Sequence, residues 1–92
     1  MPRYLVERTF PSDRIPLAGA GAEPDNVCVA LIRTHAQAGV TWIHSYVTLE
    51  RHRSYCICDA PSPEAIRVAG RASGLPVDRI TEVRVLHPHW LR

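Results

Sequence analysis

Thr41-Trp42-Ile43-His44-Ser45-Tyr46-Val47-Thr48-Leu49 alternates two kinds of side chain, the pattern of a β-strand with two unlike faces. Read with strict period two, Trp42, His44 and Tyr46 share one face, while Ile43, Ser45, Val47 and Leu49 share the other. The second set suits a core. The first sets an imidazole between two aromatics that each carry a hydrogen-bonding group, which suits a pocket wall better than the interior of a small domain.

Working outward, the strand runs on toward Glu50. The polar turn Arg51-His52-Arg53 follows, and Ser54-Tyr55-Cys56-Ile57-Cys58 reads as a second strand, so the pair is a hairpin. Upstream, Asp25 to Ala38 spaces Val27, Ala30, Leu31, Thr34 and Ala38 as an amphipathic helix does, with Gly39 as its stop. Downstream, Ser62 is an N-cap, Pro63 a first helical residue and Glu64 a favourable charge at the positive helix end. That helix turns Ile66, Ala69 and Ser73 inward and stops at Gly74, with Pro76 just beyond. Arg3 to Phe10 and Ile80 to Leu86 read as strands at either end of the chain. Residues 11–24, rich in Gly, Pro and Ala, are expected to form a long loop, and 87–92 a C-terminal tail.

The order is therefore β-α-β-β-α-β, the split βαβ or ferredoxin-like motif, within one α+β domain spanning residues 1–92. Two helices cover one face of a four-stranded antiparallel sheet. The other face is expected to meet a second copy of the chain, forming a dimeric α+β barrel with interior pockets.

Composition narrows the function classes. The 92 residues are 46% hydrophobic and 22% charged, a globular balance. All eleven basic residues are arginine, which beside abundant Ala and Pro is the mark of GC-rich coding. The arginines are scattered, and nine acids leave a net charge of only +2, so a nucleic-acid partner is not expected. No apolar run approaches the roughly 20 residues of a membrane span, and the N-terminus has no signal-peptide pattern. A cytoplasmic protein is expected. Three cysteines, Cys28, Cys56 and Cys58, do not make a disulfide framework; Cys56 and Cys58 read as small hydrophobes on one strand face.

Setting the most apolar side chains against the helices turns Val6, Ile43, Val47, Val83 and Val85 inward. Glu7, Thr9, Trp42, His44, Tyr46, Glu82 and Arg84 then go to the open face, while Tyr55/Ile57 and Cys56/Cys58 can be phased either way. Buried together, such groups would form a candidate site.

Four segments resemble a known family: Val6-Glu7-Arg8-Thr9-Phe10-Pro11, Trp42-Ile43-His44-Ser45-Tyr46-Val47, Ala60-Pro61-Ser62-Pro63-Glu64-Ala65-Ile66, and Gly74-Leu75-Pro76-Val77-Asp78-Arg79-Ile80-Thr81-Glu82-Val83. The family is a bacterial domain of unknown function whose name-giving relative is a small nickel-binding protein, and the resemblance covers nearly the whole chain. It implies a ferredoxin-like subunit and a dimer. His44 and Glu82 match that relative's strand-two histidine and strand-four glutamate. Where the relative carries further histidines, this chain has Arg8, Thr9 and Gly70, which are not nickel ligands.

Three functional readings follow. In one, the open face binds a small ligand, with Glu7, Trp42, Glu82 and Arg84 around it. If a reaction occurs there, His44 is the base and Tyr46 the oxyanion donor. In the second, His44, Glu7 and Glu82 hold a transition metal such as nickel, with Cys56 or Tyr46 as a further donor. In the third, the domain is a structural or interaction module. His87 and His89 read as part of an exposed tail, His35 as a surface or boundary residue of the first helix, and His52 as part of the hairpin turn.

Overall fold

A computed structural model describes residues 1–10, 26–50 and 52–91. Its elements are β1 (Arg3–Thr9), α1 (Asn26–Gln37), β2 (Thr41–Val47), β3 (Arg53–Asp59), α2 (Pro63–Ser73) and β4 (Arg79–Val83), followed by a short 3₁₀ turn, Pro88–Leu91. The expected loop over 11–24 lies outside the described residues.

The sheet order is β2-β3-β1-β4, and every neighbouring pair is antiparallel. This is the ferredoxin-like arrangement expected from the element order. β1 lies in the middle, bonded on both sides. Its side chains alternate without exception: Tyr4, Val6 and Arg8 are buried, while Leu5 and Glu7 are only half covered. Tyr4 and Val6 pack with Val40, Cys58, Ala60, Ile66 and Ala69, so the core lies between the sheet and the helices.

α2 is built as its sequence specifies. Ser62 Oγ accepts from the Ala65 N–H at 3.3 Å, Pro63 needs no hydrogen-bond acceptor in the first turn, and Gly74 ends the helix at φ 73°. Leu75 N–H then donates back to Gly70 O at 3.0 Å. Gly70 is a place of close approach: a Cβ there would stand 2.9 Å from Val77 Cγ2. The same corner carries a buried cation. Arg8 donates from Nη1 to the Pro76 carbonyl at 2.8 Å, tying β1 to the α2–β4 connection.

Several sequence expectations change. β4 ends at Val83 and not at Leu86, leaving Val85 and Leu86 exposed. His35 is buried, not at the surface. Part of the tail winds into the 3₁₀ turn, where the His87 and His89 rings stack with centroids 4.5 Å apart.

Ile66 is fully buried, whereas Val68, on the same helix, is half exposed. Ile66→Ala is expected to lower the free energy of unfolding by about 2–5 kcal/mol, and Val68→Ala by less than about 0.5 kcal/mol. Urea denaturation of the two variants beside the parent measures both.

Candidate functional site

Directly opposed residues of an antiparallel pair share a face, so the register assigns the site. On the open face, Thr41, Asp59, Arg3 and Val83 form one row across the four strands. His44, Ile57, Leu5 and Thr81 form the next, and Tyr46, Tyr55, Glu7 and Arg79 the third. Beyond it, Arg53 faces Thr9.

The strict alternation predicted for β2 fails at one point. The β2–β3 register jumps between Trp42 and His44, leaving Ile43 as the extra residue of a β-bulge. Trp42 therefore pairs with Cys58 on the helix side, and its indole Nε1 donates to Ser45 Oγ at 2.8 Å on that same side. His44 and Tyr46 stay on the open face, their rings edge to face with centroids 5.2 Å apart. Trp42 is thus removed from the expected pocket wall.

Glu82 is corrected as well. It pairs with Tyr4, and Ile80 pairs with Val6, so both belong to the helix side, while Thr81 and Val83 take the open face. β4 is an edge strand that ends at Val83, so Ile80 alone settles its phase, against the valines used for the prediction. Arg84 lies beyond the strand and is exposed. Cys56 pairs with Val6 and so also lies on the face opposite His44. Of the expected site, His44, Tyr46 and Glu7 remain together on one face.

The structure adds residues the sequence reading passed over. A cavity of about 150 Å³ opens at the lower end of the face, lined by Glu7, Arg8, Thr9, Arg53, Tyr55, Asp78 and Arg79. Asp78 is held in two ways: its N–H donates to Glu7 O at 2.8 Å, and its carboxylate accepts from the Thr9 hydroxyl. Glu7 Oε2 stands 4.0 Å from Arg79 Nε, at the limit of an ion pair. Among the described residues, no carboxylate lies within ion-pair distance of Arg53. One signal could have phased β3 in advance. Cysteine is far more often buried than tyrosine, so Cys56/Cys58 belonged inward and Tyr55 outward.

Charges elsewhere on this face are closed off. Arg3 and Asp59, directly opposed, form a bidentate pair at 2.9 and 3.2 Å. The hydrogen bond from Arg3 holds the Asp59 carboxyl below the usual carboxylate range. On the other side of the sheet, burial pushes the Cys58 thiol up to about 11, with the neighbouring Cys56 adding to the shift. Cys58 is therefore a protonated core thiol and not a nucleophile.

The class these features define is a small ferredoxin-like α+β domain with an open sheet face. A family model described as "Nickel responsive protein SCO4226-like" matches residues 4–83, and the chain belongs to that family. A crystal structure of SCO4226 from Streptomyces coelicolor A3(2) is similar, with a TM-score of 0.64 over 92% of this chain and 99% of that one. At 20% identity, that likeness shows the fold. No curated protein matches the chain.

The described residues do not fit a nickel centre within one chain. Among them, no group of three or more His, Cys, Asp or Glu could hold a metal ion. Glu82 is on the opposite face of the sheet from His44 and Glu7, and His44 is on β2 at the sheet edge, two strands from Glu7 on β1. The helix-side corner at Arg8 and Gly70 holds a guanidinium. Among the described residues, no helix is long and apolar enough to cross a membrane.

The Cys58 thiol gives a pH dependence with a definite sign. Its folded-state value lies above that of the unfolded thiol, so its contribution is complete below about pH 8.5 and falls away as pH rises toward about 11. Wild type is expected to lose stability relative to Cys58→Ala over that interval, by an amount on the order of 1–3 kcal/mol. Urea midpoints for both proteins at pH 8 and pH 10.5 measure the difference; a gap that does not change with pH would refute it.

Proposed function

We propose that this chain is a homodimeric ligand-binding protein that takes a small polar molecule at its open sheet face, near His44, Tyr46, Tyr55 and Glu7. The observation that carries the reading is the row Tyr46–Tyr55–Glu7–Arg79, flanked by His44 and ending in the cavity. Aromatic walls with a few convergent polar groups are the ordinary make-up of a small-molecule site. Among the described residues no helix lies over Leu5 and Ile57 at the centre of the face, and Tyr46 is 65% exposed. Such a surface profits from a second copy laid against it.

The reading requires a species near twice the 10.3 kDa chain mass in light scattering. Ile57→Arg, which places a charge at the middle of the face, is expected to give a folded monomer. His44→Ala should stay folded and dimeric but lose any ligand-induced thermal shift. A parent protein that is monomeric at high micromolar concentration, or a ligand that perturbs only helix-side amides, would sink the proposal.

The family description favours a second reading, in which nickel is the ligand. His44 of one copy would then be a donor, joined by groups from the second copy such as its Glu7, because one chain's described residues do not supply a set. Equilibrium dialysis against Ni²⁺ decides it. Near-stoichiometric metal that disappears in His44→Ala supports this reading, and protein that retains none after dialysis excludes it.

A further inference from the structure

We infer that the cavity at the lower end of the open face is a site for a small zwitterion, a molecule bearing an ammonium and a carboxylate a few bonds apart, such as an α-amino acid. The inference rests on the open-face reading above and names the class of ligand. It starts from the signs of the lining charges. Two carboxylates, Glu7 and Asp78, and three arginines line a space of about 150 Å³; Arg8 donates its Nη1 to the Pro76 carbonyl, which leaves the guanidiniums of Arg53 and Arg79. That is roughly the volume of five waters, enough for a handful of heavy atoms.

The charges are not used up on one another. Arg79 reaches Glu7 only at 4.0 Å, too long for a hydrogen bond, and its side chain is 75% exposed. Arg53 has no carboxylate in ion-pair range among the described residues. Asp78 takes the Thr9 hydroxyl on one oxygen, Oδ2, which leaves Oδ1 available. The contrast lies at the other end of the same face, where Arg3 and Asp59 satisfy each other in bidentate fashion.

Register also sets Arg53 apart from the acids, while Arg79 lies directly opposite Glu7. Arg53 faces Thr9 across the β3–β1 pair, while Glu7, one position along on that face, lies between Tyr55 and Arg79. An ammonium seated by Glu7 and Asp78 leaves a carboxylate directed toward Arg53, with the Tyr55 phenol between them. A simple anion would meet two carboxylates, and a simple cation two guanidiniums. A ligand of both signs complements this lining better than one of a single sign, since charge complementarity selects partners by penalising the wrong one.

The test is a titration of ¹⁵N-labelled protein with L-alanine, with acetate and methylamine as single-charge controls. L-alanine is expected to move the amides of Glu7, Tyr55, Asp78 and Arg79, while each control, at equal concentration, moves them far less. Arg53→Ala and Glu7→Gln should each weaken alanine binding by about tenfold or more, the loss of one charge-assisted hydrogen bond. Arg53 is exposed, so its variant is expected to fold, and Glu7→Gln keeps the shape of the side chain. Acetate or methylamine binding as tightly as alanine would overturn the zwitterion assignment, as would an absence of shifts at saturating alanine. If neutral compounds from a fragment set shift those same amides while alanine does not, the pocket stands and only the ligand class falls. If no compound moves open-face amides at all, the open-face reading fails with it.

Discussion

Everything in this subunit hangs from the register of β1. It is hydrogen-bonded on both sides, to β3 and to β4, and a slip by one residue would bring Leu5, Glu7 and Thr9 under the helices. Val6 and Tyr4 forbid that slip, because they are buried against Ile66 and Ala69. The chemistry of the open face is thus fixed from behind by a handful of apolar contacts. Glu7 can stay where it is because Val6 cannot move.

The same arrangement explains where charge is tolerated. Arg8 is on the buried side, yet its guanidinium donates to the Pro76 carbonyl and its neighbour across β3 is Ser54, a small polar residue. A buried cation so placed holds the α2–β4 connection to the sheet. That connection in turn delivers Asp78 and Arg79 to the cavity on the other face. One strand therefore sets both the core and, through its buried arginine, the segment that completes the site.

The fold was legible because its signals are local and agree with one another. Ser62-Pro63-Glu64 and Gly74 mark α2 to the residue, and the β-α-β-β-α-β order leaves few topologies. The make-up of the open face was legible only in part. His44, Tyr46 and Glu7 were placed correctly because their strands keep period two over the relevant stretch. Trp42 was misplaced because a bulge is a matter of pairing between strands, and nothing in Thr41-Trp42-Ile43-His44 signals an inserted residue. Glu82 was misplaced because a five-residue edge strand offers two inward positions, too few for apolarity to outvote Val83 and Val85. Thr9 from β1, Arg53 and Tyr55 from β3 and Asp78 from the α2–β4 connection converge from three separate segments, a proximity that spacing along the chain does not reveal.

The bulge at Ile43 also bears on how copies of the chain can meet. β2 is an edge of the sheet and displays Trp42, Ile43 and Tyr46 to solvent, a composition that invites strand-on-strand stacking into open-ended fibres. An inserted residue breaks the even ladder of N–H and C=O groups that such stacking needs, and the opposite edge is only five residues long. Growth along the sheet is disfavoured at both edges, which leaves the broad open face as the surface for the proposed pairing of two copies.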